Sequence, residues 1–172
     1  CVEIAKKYGV ELLVCSSLNR NSGTMVREKT KMEKMLISGV AADKNVAKIR
    51  VAGLGNDPES TFRLLNLLDR NNLNIDVMIQ SLGKDGTKSV SFTVAKPDML
   101  RTIDVLNDNK DSLGIKKLDY DENVAKISVI GAGVRSHSGV AAKMFGALAN
   151  AGINTEMITT SEIRITALID EA

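Results

Sequence analysis

The sequence predicts an α+β protein, and the first reason is an internal repeat. Residues 45–72 recur as residues 123–152, and both copies begin with Asn-Val-Ala-Lys-Ile and have a glycine turn after the strand. The second reason is the pattern after each turn, where helical periodicity gives way to the period of two that is typical of strands. The order of elements is strand, helix, strand, strand, helix, strand. This order indicates ferredoxin-like (βαββαβ) units with antiparallel sheets and helices on one face.

Residues 1–34 are predicted to be the end of a larger domain. Residues 1–9 have the pattern of a last helix, residues 11–15 and 24–26 have the pattern of short strands, and residues 27–34 are a charged linker. This segment has too few apolar residues to form a core of its own.

The first ferredoxin-like unit is assigned to residues 45–121. Its predicted elements are strand 46–53, helix 58–71, strand 75–82, hairpin turn 83–86, strand 88–95, helix 97–109 and strand 115–120. Strand 88–95 alternates, with Val90, Phe92 and Val94 on one face. The side chains predicted to lie inside the two helices are Phe62, Leu64, Leu65, Leu68, Met99, Leu100, Ile103, Val105 and Leu106.

The second unit is assigned to residues 35–44 plus 122–172. It has strand 124–130, helix 138–151 and strands 154–160 and 163–169, and then the chain stops. By the repeat, residues 36–42 stand before the first copy as residues 115–120 stand before the second. We therefore predict that 36–42 fills the vacant strand position, so that the first unit is inserted within the second. A C-terminal helix after residue 172 is expected to be missing.

Composition excludes several classes of function. The 172 residues carry a net charge of +2, with no block of like charge that would bind nucleic acid or a membrane. No apolar stretch is long enough to cross a bilayer, and there is no signal peptide, so a cytoplasmic location is expected. The cysteines, Cys1 and Cys15, have no metal-type spacing and are expected to be buried or idle thiols.

The glycine turns leave a nucleotide site open as an alternative. Gly131-Ala132-Gly133 between a strand and a helix is similar to a dinucleotide fingerprint, and Glu156 follows where an acid could hold a ribose. However, Ser136 stands at the third glycine position, and the next two strands form a hairpin. His137 is the single histidine, and no carboxylate is placed by sequence to orient it, so a turn or capping role is favoured over catalysis.

An amino-acid ligand fits the turns better. A helix N-terminus has unpaired N–H donors and partial positive charge, which suit an α-carboxylate. The ligand's ammonium group would then need acceptors at the start of the next strand. Those acceptors are Asn154 and Glu156 in the second unit and Asn74 and Asp76 in the first, with Gln80 at an even spacing from Asn74 and Asp76 and hence on their face.

The most specific segment, residues 131–165, reads GAGVRSHSGVAAKMFGALANAGINTEMITTSEIRI and closely resembles the C-terminal regulatory half of aspartate kinases (aspartokinases). The segment ISGVAADKNVAKIRVAGLG resembles the first regulatory repeat of that family. The segment VEIAKKYGVELLVCSSLNRNSGTMV resembles the last helix and strands of its amino-acid-kinase domain. The resemblance covers essentially the whole chain.

The resemblance implies that both units are ACT domains, which bind lysine, threonine or both as feedback effectors of aspartate phosphorylation. It also implies a homodimer formed by ACT–ACT pairing and a kinase domain as partner. The kinase motifs are absent from this sequence, so the chain alone should be inactive and need no cofactor, whereas the parent enzyme uses ATP and Mg. The start at Cys1 favours an excised region over a natural regulatory subunit.

The effector-binding residues implied by matching positions and by the turn argument are Asn56, Asp57, Pro58, Asn74, Asp76, Gln80, His137, Ser138, Gly139, Val140, Asn154 and Ser161. No catalytic residue and no metal ligand is predicted. In the first turn, Asn56 and Glu59 depart from the family pattern of D-x-P-G, with Asp57 as a substitute acid. In the second turn, Ser138 replaces the usual proline. We therefore expect the second turn, more than the first, to bind the effector.

Two alternatives from other classes stay open. One is a small nucleotide-dependent oxidoreductase domain that uses the Gly-x-Gly turns. The other is a ferredoxin-like sheet that binds RNA, which would need surface aromatic residues for base stacking. The chain has three Phe and two Tyr, mostly on apolar faces, which disfavours the RNA alternative.

Overall fold

The computed structural model describes residues 1–18, 22–26, 37–131, 134 and 139–171. The chain separates into two compact units, Cys1–Met35 and Leu36–Ala172. In the first, helix α1 (Val2–Lys7) is followed by strands β1 (Leu12–Val14) and β2 (Thr24–Val26), which pair antiparallel. Cys1 and Cys15 are both exposed free thiols. The linker predicted at 27–34 lies outside the described residues.

The larger unit contains two four-stranded antiparallel sheets. The first sheet has the order β5-β6-β4-β7, and the second has the order β3-β8-β10-β9. The strands are β3 (Gly39–Asp43), β4 (Val46–Leu54), β5 (Met78–Leu82), β6 (Lys88–Ala95), β7 (Lys117–Asp121), β8 (Val124–Ile130), β9 (Thr155–Thr160) and β10 (Arg164–Asp170). The helices are α2 (Pro58–Arg70), α3 (Met99–Asp108), α4 (Lys110–Leu113) and α5 (Gly139–Asn150).

Strand β3 completes the sheet of the second unit. It pairs with β8, with Val40 opposite Val129 and Asp43 opposite Lys126. Strand β7 holds the same place beside β4, with Tyr120 opposite Ile49. The predicted fold class is therefore confirmed: two ferredoxin-like units with antiparallel sheets, the first inserted within the second.

Each unit has its own aliphatic core between sheet and helices. In the first unit, Ile49, Phe92 and Leu106 have no exposed surface, and α2 adds Leu64 and Leu68. In the second, β8 and β10 pack on α5 through side chains that include Val129, Ala167 and Met144. The alternation predicted for β6 is confirmed for Val90, Phe92 and Val94, because each of these side chains is buried against the helices.

Two helical side chains that were predicted to be inside are outside. Phe62 on α2 is 65% exposed and Leu100 on α3 is 67% exposed, while Ser60 and Thr102 are buried on those helices instead. The buried hydroxyl of Thr102 donates to the carbonyl of Asp98 at 2.7 Å, which satisfies it one turn back. The hydrophobic spacing predicted both helices. However, the apolar face that it predicted is rotated about each helix axis relative to the face that is buried.

A third apolar cluster joins the two ferredoxin-like units. It contains the repeat-equivalent residues Val46 and Val124, together with Val77, Met157 and Leu168. These side chains lie on the sheet faces that do not carry the helices. Thr93 on β6 is fully buried on that face, where its hydroxyl accepts a hydrogen bond from the N–H of Val77 at 3.1 Å. The units are therefore related by an approximate two-fold arrangement with an apolar centre.

Candidate functional site

The first predicted turn is closed by its own aspartate. The Oδ1 of Asp57 accepts hydrogen bonds from the backbone N–H groups of Glu59 and Ser60, both at 2.9 Å, and its Oδ2 accepts from the Ser60 hydroxyl. The Ser60 hydroxyl is the main reason that the pKa of Asp57 lies below its ordinary value. Pro58 is the first helical residue and has no N–H to donate. The donors at this helix N-terminus are thus already used by the protein.

Other contacts fix this turn further. The ammonium of Lys88 donates to the carbonyl oxygen of Asp57 at 2.8 Å, and a guanidinium nitrogen of Arg63 lies 3.7 Å from its carboxylate. Asn56 is exposed beside it. In Gly53, φ is +91°, which glycine adopts without strain and which accompanies a register shift in β4.

The polar residues predicted on the following strand do not share a face. Regular strand β5 begins at Met78, so Asn74 and Asp76 precede it. Asp76 accepts a hydrogen bond from Lys126 of the second unit, whereas the side-chain oxygen of Gln80 accepts from the Thr61 hydroxyl on α2 at 2.7 Å. The prediction that even spacing places them together is wrong, because residues 74–77 are not regular strand.

The second predicted turn is described only in part. His137 and Ser138 lie outside the described residues. Gly139 is exposed at the start of α5, with open space where a Cβ would stand, and Val140 is buried in the core. Asn154 is exposed just before β9. Ser161, in the β9–β10 turn, donates its N–H to the carbonyl of Arg164 at 2.7 Å.

The two units exchange ion pairs across their junction. Lys48 of the first unit contacts Glu156 of the second at 2.5 Å, and Lys126 of the second contacts Asp76 of the first. Lys48 and Lys126 are equivalent in the repeat, as are Asp76 and Glu156. The contacts are therefore reciprocal, so each unit supplies both a cation and an anion.

Lys126 is the more heavily engaged of the two lysines. Its side chain is 15% exposed and also lies 3.2 Å from Asp43. Burial works to lower the pKa of Lys126, but hydrogen bonds from its ammonium to Asp76 and Asp43 outweigh burial, and the pKa is raised. The pKa of Asp43 is lowered, first by the N–H of Asn45 and then by Lys126. One ammonium thus serves two carboxylates, which leaves this cluster with one uncompensated negative charge.

A third group of charges lies at the approximate axis. Glu171 follows β10, Lys96 follows β6, and these two residues are equivalent in the repeat and meet at 3.0 Å. Lys44 adds a contact to Glu171 at 3.3 Å. Hydrogen bonds from Lys96 and Lys44 lower the pKa of Glu171.

Two clefts open along the junction, and Asp76 lines both. One, of about 300 Å³, collects Asn74, Asp76, Asp43, Asp98 and Lys126 among its lining residues. The other, of about 320 Å³, is lined by Asp76, Val77, Thr159, Ser161, Ile163, Arg164 and Thr166. The fold thus brings Asp76 of the first unit and Ser161 of the second, both predicted site residues, to one cleft.

Lys48, Lys126 and Arg164 were missed as candidates by the sequence reasoning. The signal for the lysines was in the repeat, since both copies carry a lysine on the strand face opposite the core. Within the described residues no group of three or more His, Cys, Asp or Glu side chains could hold a metal ion. Every strand pair in the two described sheets is antiparallel, so the parallel sheet of a dinucleotide fold is not present in this part of the chain.

Strand order, the inserted unit and the reciprocal junction together define a tandem of ACT-type units. The ACT domain family model matches residues 127–172. An aspartokinase of Pseudomonas aeruginosa is 37% identical over 173 residues, covering 99% of this chain and 42% of that protein. The chain therefore spans less than half the length of the curated relatives it matches.

Solved structures agree. A structure of aspartokinase alpha and beta subunits is 43% identical with a TM-score of 0.73, and covers 78% of this chain and 88% of that one. The ligand-free regulatory subunit of aspartate kinase from Thermus thermophilus is 31% identical with a TM-score of 0.74, and covers 79% of this chain and 89% of that one. This chain belongs to the aspartokinase family and corresponds to its regulatory ACT region. No helix among the described residues is long and apolar enough to span a membrane.

Proposed function

We propose that this chain binds lysine, threonine or both as feedback effectors of an aspartate kinase, in the biosynthesis of the aspartate family of amino acids. Membership of the aspartokinase family supports the role. The proposed ligand contacts remain those of the sequence: the helix N-terminus at residues 137–140, with Asn154 and Ser161 in the second unit, and Asn56, Asp57, Pro58, Asn74, Asp76 and Gln80 in the first.

One observation favours the second unit as the main effector site. In the first unit Asp57 already holds the donors of the helix N-terminus and would repel a ligand carboxylate. In the second unit, residues 131–155 contain no Asp or Glu, and Gly139 at the start of α5 is exposed. The partial positive charge of that helix end is therefore not cancelled by a neighbouring carboxylate in the sequence.

The proposed domain organisation follows the family. Residues 1–34 would be the end of an amino-acid-kinase domain and its linker, and the ACT domains would be 45–121 and 35–44 plus 122–172. The kinase domain, which would use ATP and Mg, is the partner that receives the signal. A homodimer through ACT–ACT pairing and a cytoplasmic location are part of the same proposal. This chain alone would have no kinase activity.

Regulation would depend on a preference for one arrangement of the units. A ligand shifts an equilibrium only by its difference in affinity for the two states, and the shift is reciprocal. The reciprocal ion pairs at the junction supply contacts that a change of arrangement would alter. An effector bound to one unit is therefore placed to bias the whole tandem.

Calorimetric titration of the chain with lysine, threonine, NADH and ATP tests the proposal. Lysine or threonine should bind, and NADH and ATP should not. Asn154→Ala should weaken binding about tenfold, the loss expected for a hydrogen bond to a charged group. Its repeat-equivalent Asn74→Ala is the matched control and should change affinity less. Binding of NADH without either amino acid would instead support the oxidoreductase alternative.

A further inference from the structure

Most contacts at the junction of the two ferredoxin-like units join groups that both copies of the repeat supply. Lys48 and Lys126 each meet an acid of the other unit. Val46 and Val124 belong to the same apolar cluster. Such contacts would form equally well between two first units or between two second units, because each copy supplies the same kinds of group. They therefore stabilise the junction without selecting the partner.

The contact between Lys96 and Glu171 is different, because its two members are equivalent in the repeat but opposite in charge. The N–H of Lys96 donates to the carbonyl oxygen of Asn45 at 3.4 Å. In the second copy, the N–H of Glu171 donates to the carbonyl oxygen of Asn123 at 2.7 Å. The two side chains meet at 3.0 Å.

Equivalent residues that contact each other must lie at the axis that relates the two units. In a pair of identical units, a residue at this place would meet its own copy. Pairing two first units would therefore place Lys96 against Lys96, and pairing two second units would place Glu171 against Glu171. Opposite charges at the axis are available only to a pair of unlike units.

The turns between the two sheets show the same reversal of charge. Lys44 and Glu122 hold the same position in the two Asp-x-Asn turns, and both are exposed. Lys44 lies 3.3 Å from Glu171, so the carboxylate at the end of β10 faces two ammonium groups from the first half of the chain. The two copies thus differ in the sign of their charge at two positions.

We propose that this reversal makes the junction face of each unit specific for the unlike unit, and so prevents first-to-first and second-to-second pairing between copies of the chain. A face that is exposed during folding can meet either unit of a neighbouring copy, and misassembly between units is characteristic of repeat proteins. Like charges in the wrong complex are a common source of specificity between similar partners. Lys96 and Glu171 are half-buried, so salt screens this pair less than an exposed one.

Refolding of the whole chain from urea at increasing protein concentration, followed by sedimentation velocity, tests the proposal. One variant exchanges the two charges, Lys96→Glu with Glu171→Lys, and should refold as the parent does because opposite charges still meet at the axis. Lys44 is exposed, so its repulsion of the new lysine is weak.

A second variant removes both charges, Lys96→Gln with Glu171→Gln. It no longer disfavours the pairing of identical units. At the same protein concentration it should form at least about threefold more material larger than the native parent. Added salt should raise the misassembly of the parent, since it screens the charges that separate the right pairing from the wrong ones.

Lys117→Gln with Asp119→Asn is the matched control. It removes an ion pair of 2.8 Å that lies within the first unit, and it should refold as the parent does. A neutral variant that refolds as cleanly as the parent would overturn the proposal, and so would an exchanged variant that misassembles as much as the neutral one. No amino acid is added in these experiments, so their outcome does not depend on the effector proposal.

Discussion

The two repeats have the same fold, but the residues that follow their glycine turns differ in charge. In the first, Asp57 bonds to the backbone of its own helix, and Arg63 and Lys88 surround it. In the second, the corresponding stretch has no acidic residue, and α5 begins with an exposed glycine. The first helix N-terminus is thus satisfied internally, whereas the stretch before the second helix contains no carboxylate that could do the same. A duplicated element can thus keep its fold while the charges around its turn change.

The hydrophobic cores of the two units also differ. At matched positions on the third strand of each unit, the first buries Phe92 and the second buries Ala167, both without exposed surface. Phe92 packs with Ile49 against α2 and α3, whereas Ala167 faces α5. The first unit therefore has the larger packed core among the described residues, which agrees with a stabilising role.

Phe92→Ala is the change expected to have the largest effect. It removes a large side chain from a fully enclosed position and should lower the free energy of unfolding by about 3–5 kcal/mol. Urea denaturation followed by circular dichroism measures this. The control, Phe62→Ala at an exposed position, should cost less than about 0.5 kcal/mol. Equal losses in the two variants would contradict the assignment of Phe92 to the core.

The junction lysines come next. Lys126→Met leaves two carboxylates without their ammonium and should cost about 1–2 kcal/mol, whereas Lys48→Met leaves one and should cost roughly half as much. Methionine keeps the length and the apolar contacts of each side chain. Parallel urea denaturation of the two variants gives the comparison. A larger loss of stability for Lys48→Met than for Lys126→Met would contradict this prediction.

The cluster around Lys126 also predicts how stability depends on pH. The lowered pKa of Asp43 means that its contribution is complete above its unfolded value of about 3.9 and is lost as pH falls through the folded pKa. The raised pKa of Lys126 means that its contribution is complete below about 10.4 and is lost as pH rises through the folded pKa.

Lys126→Met should therefore remove the alkaline loss from Lys126 and reduce the acid loss from Asp43. Urea midpoints measured across the pH range check this against the parent chain. Identical profiles for the two proteins would show that the cluster does not contribute to the pH dependence.

The smallest effect is expected at the first turn. Asp57→Asn keeps an oxygen acceptor for the cap but removes the negative charge, so the melting temperature should change little. Asp57→Ala loses the cap as well and should lower the melting temperature more. With the charge gone, sulfate should protect the Asp57→Asn variant against heat more than it protects the parent. No difference in sulfate protection would mean that Asp57 is not what closes this turn to anions.

Much of the fold could be predicted from the sequence because local and long-range signals agree. Strand β8 was predicted with its observed ends, and β6 by its alternation, since one face of each strand packs against helices. The repeat then placed β3, because residues 36–42 and 115–120 precede the same motif. The buried faces of the helices were predicted less accurately, as Phe62 and Leu100 show, because an apolar residue near the edge of a helix's apolar face can be exposed to solvent.

The junction could not be predicted in the same way. Thr93 looked like a residue on the solvent side of a half-buried strand, but it is fully buried at the junction of the two ferredoxin-like units. Residues 74–77 looked like strand, but the Thr93 hydroxyl takes the N–H of Val77 and the regular ladder starts later. The clefts depend on how two sheets face each other, which no single stretch of sequence encodes. The predicted effector contacts remain predictions.

The insertion of the first unit has a consequence for how the sheet of the second unit is closed. In the first unit the edge strand β7 comes last, whereas in the second the edge strand β3 comes first, so the two units are circular permutants of one topology. Asp43 lies opposite Lys126 at the mouth of the β3–β8 ladder. Deleting residues 46–123 would thus leave strands that a short hairpin loop can join. The host sheet would therefore keep the β3–β8 ladder without the first unit.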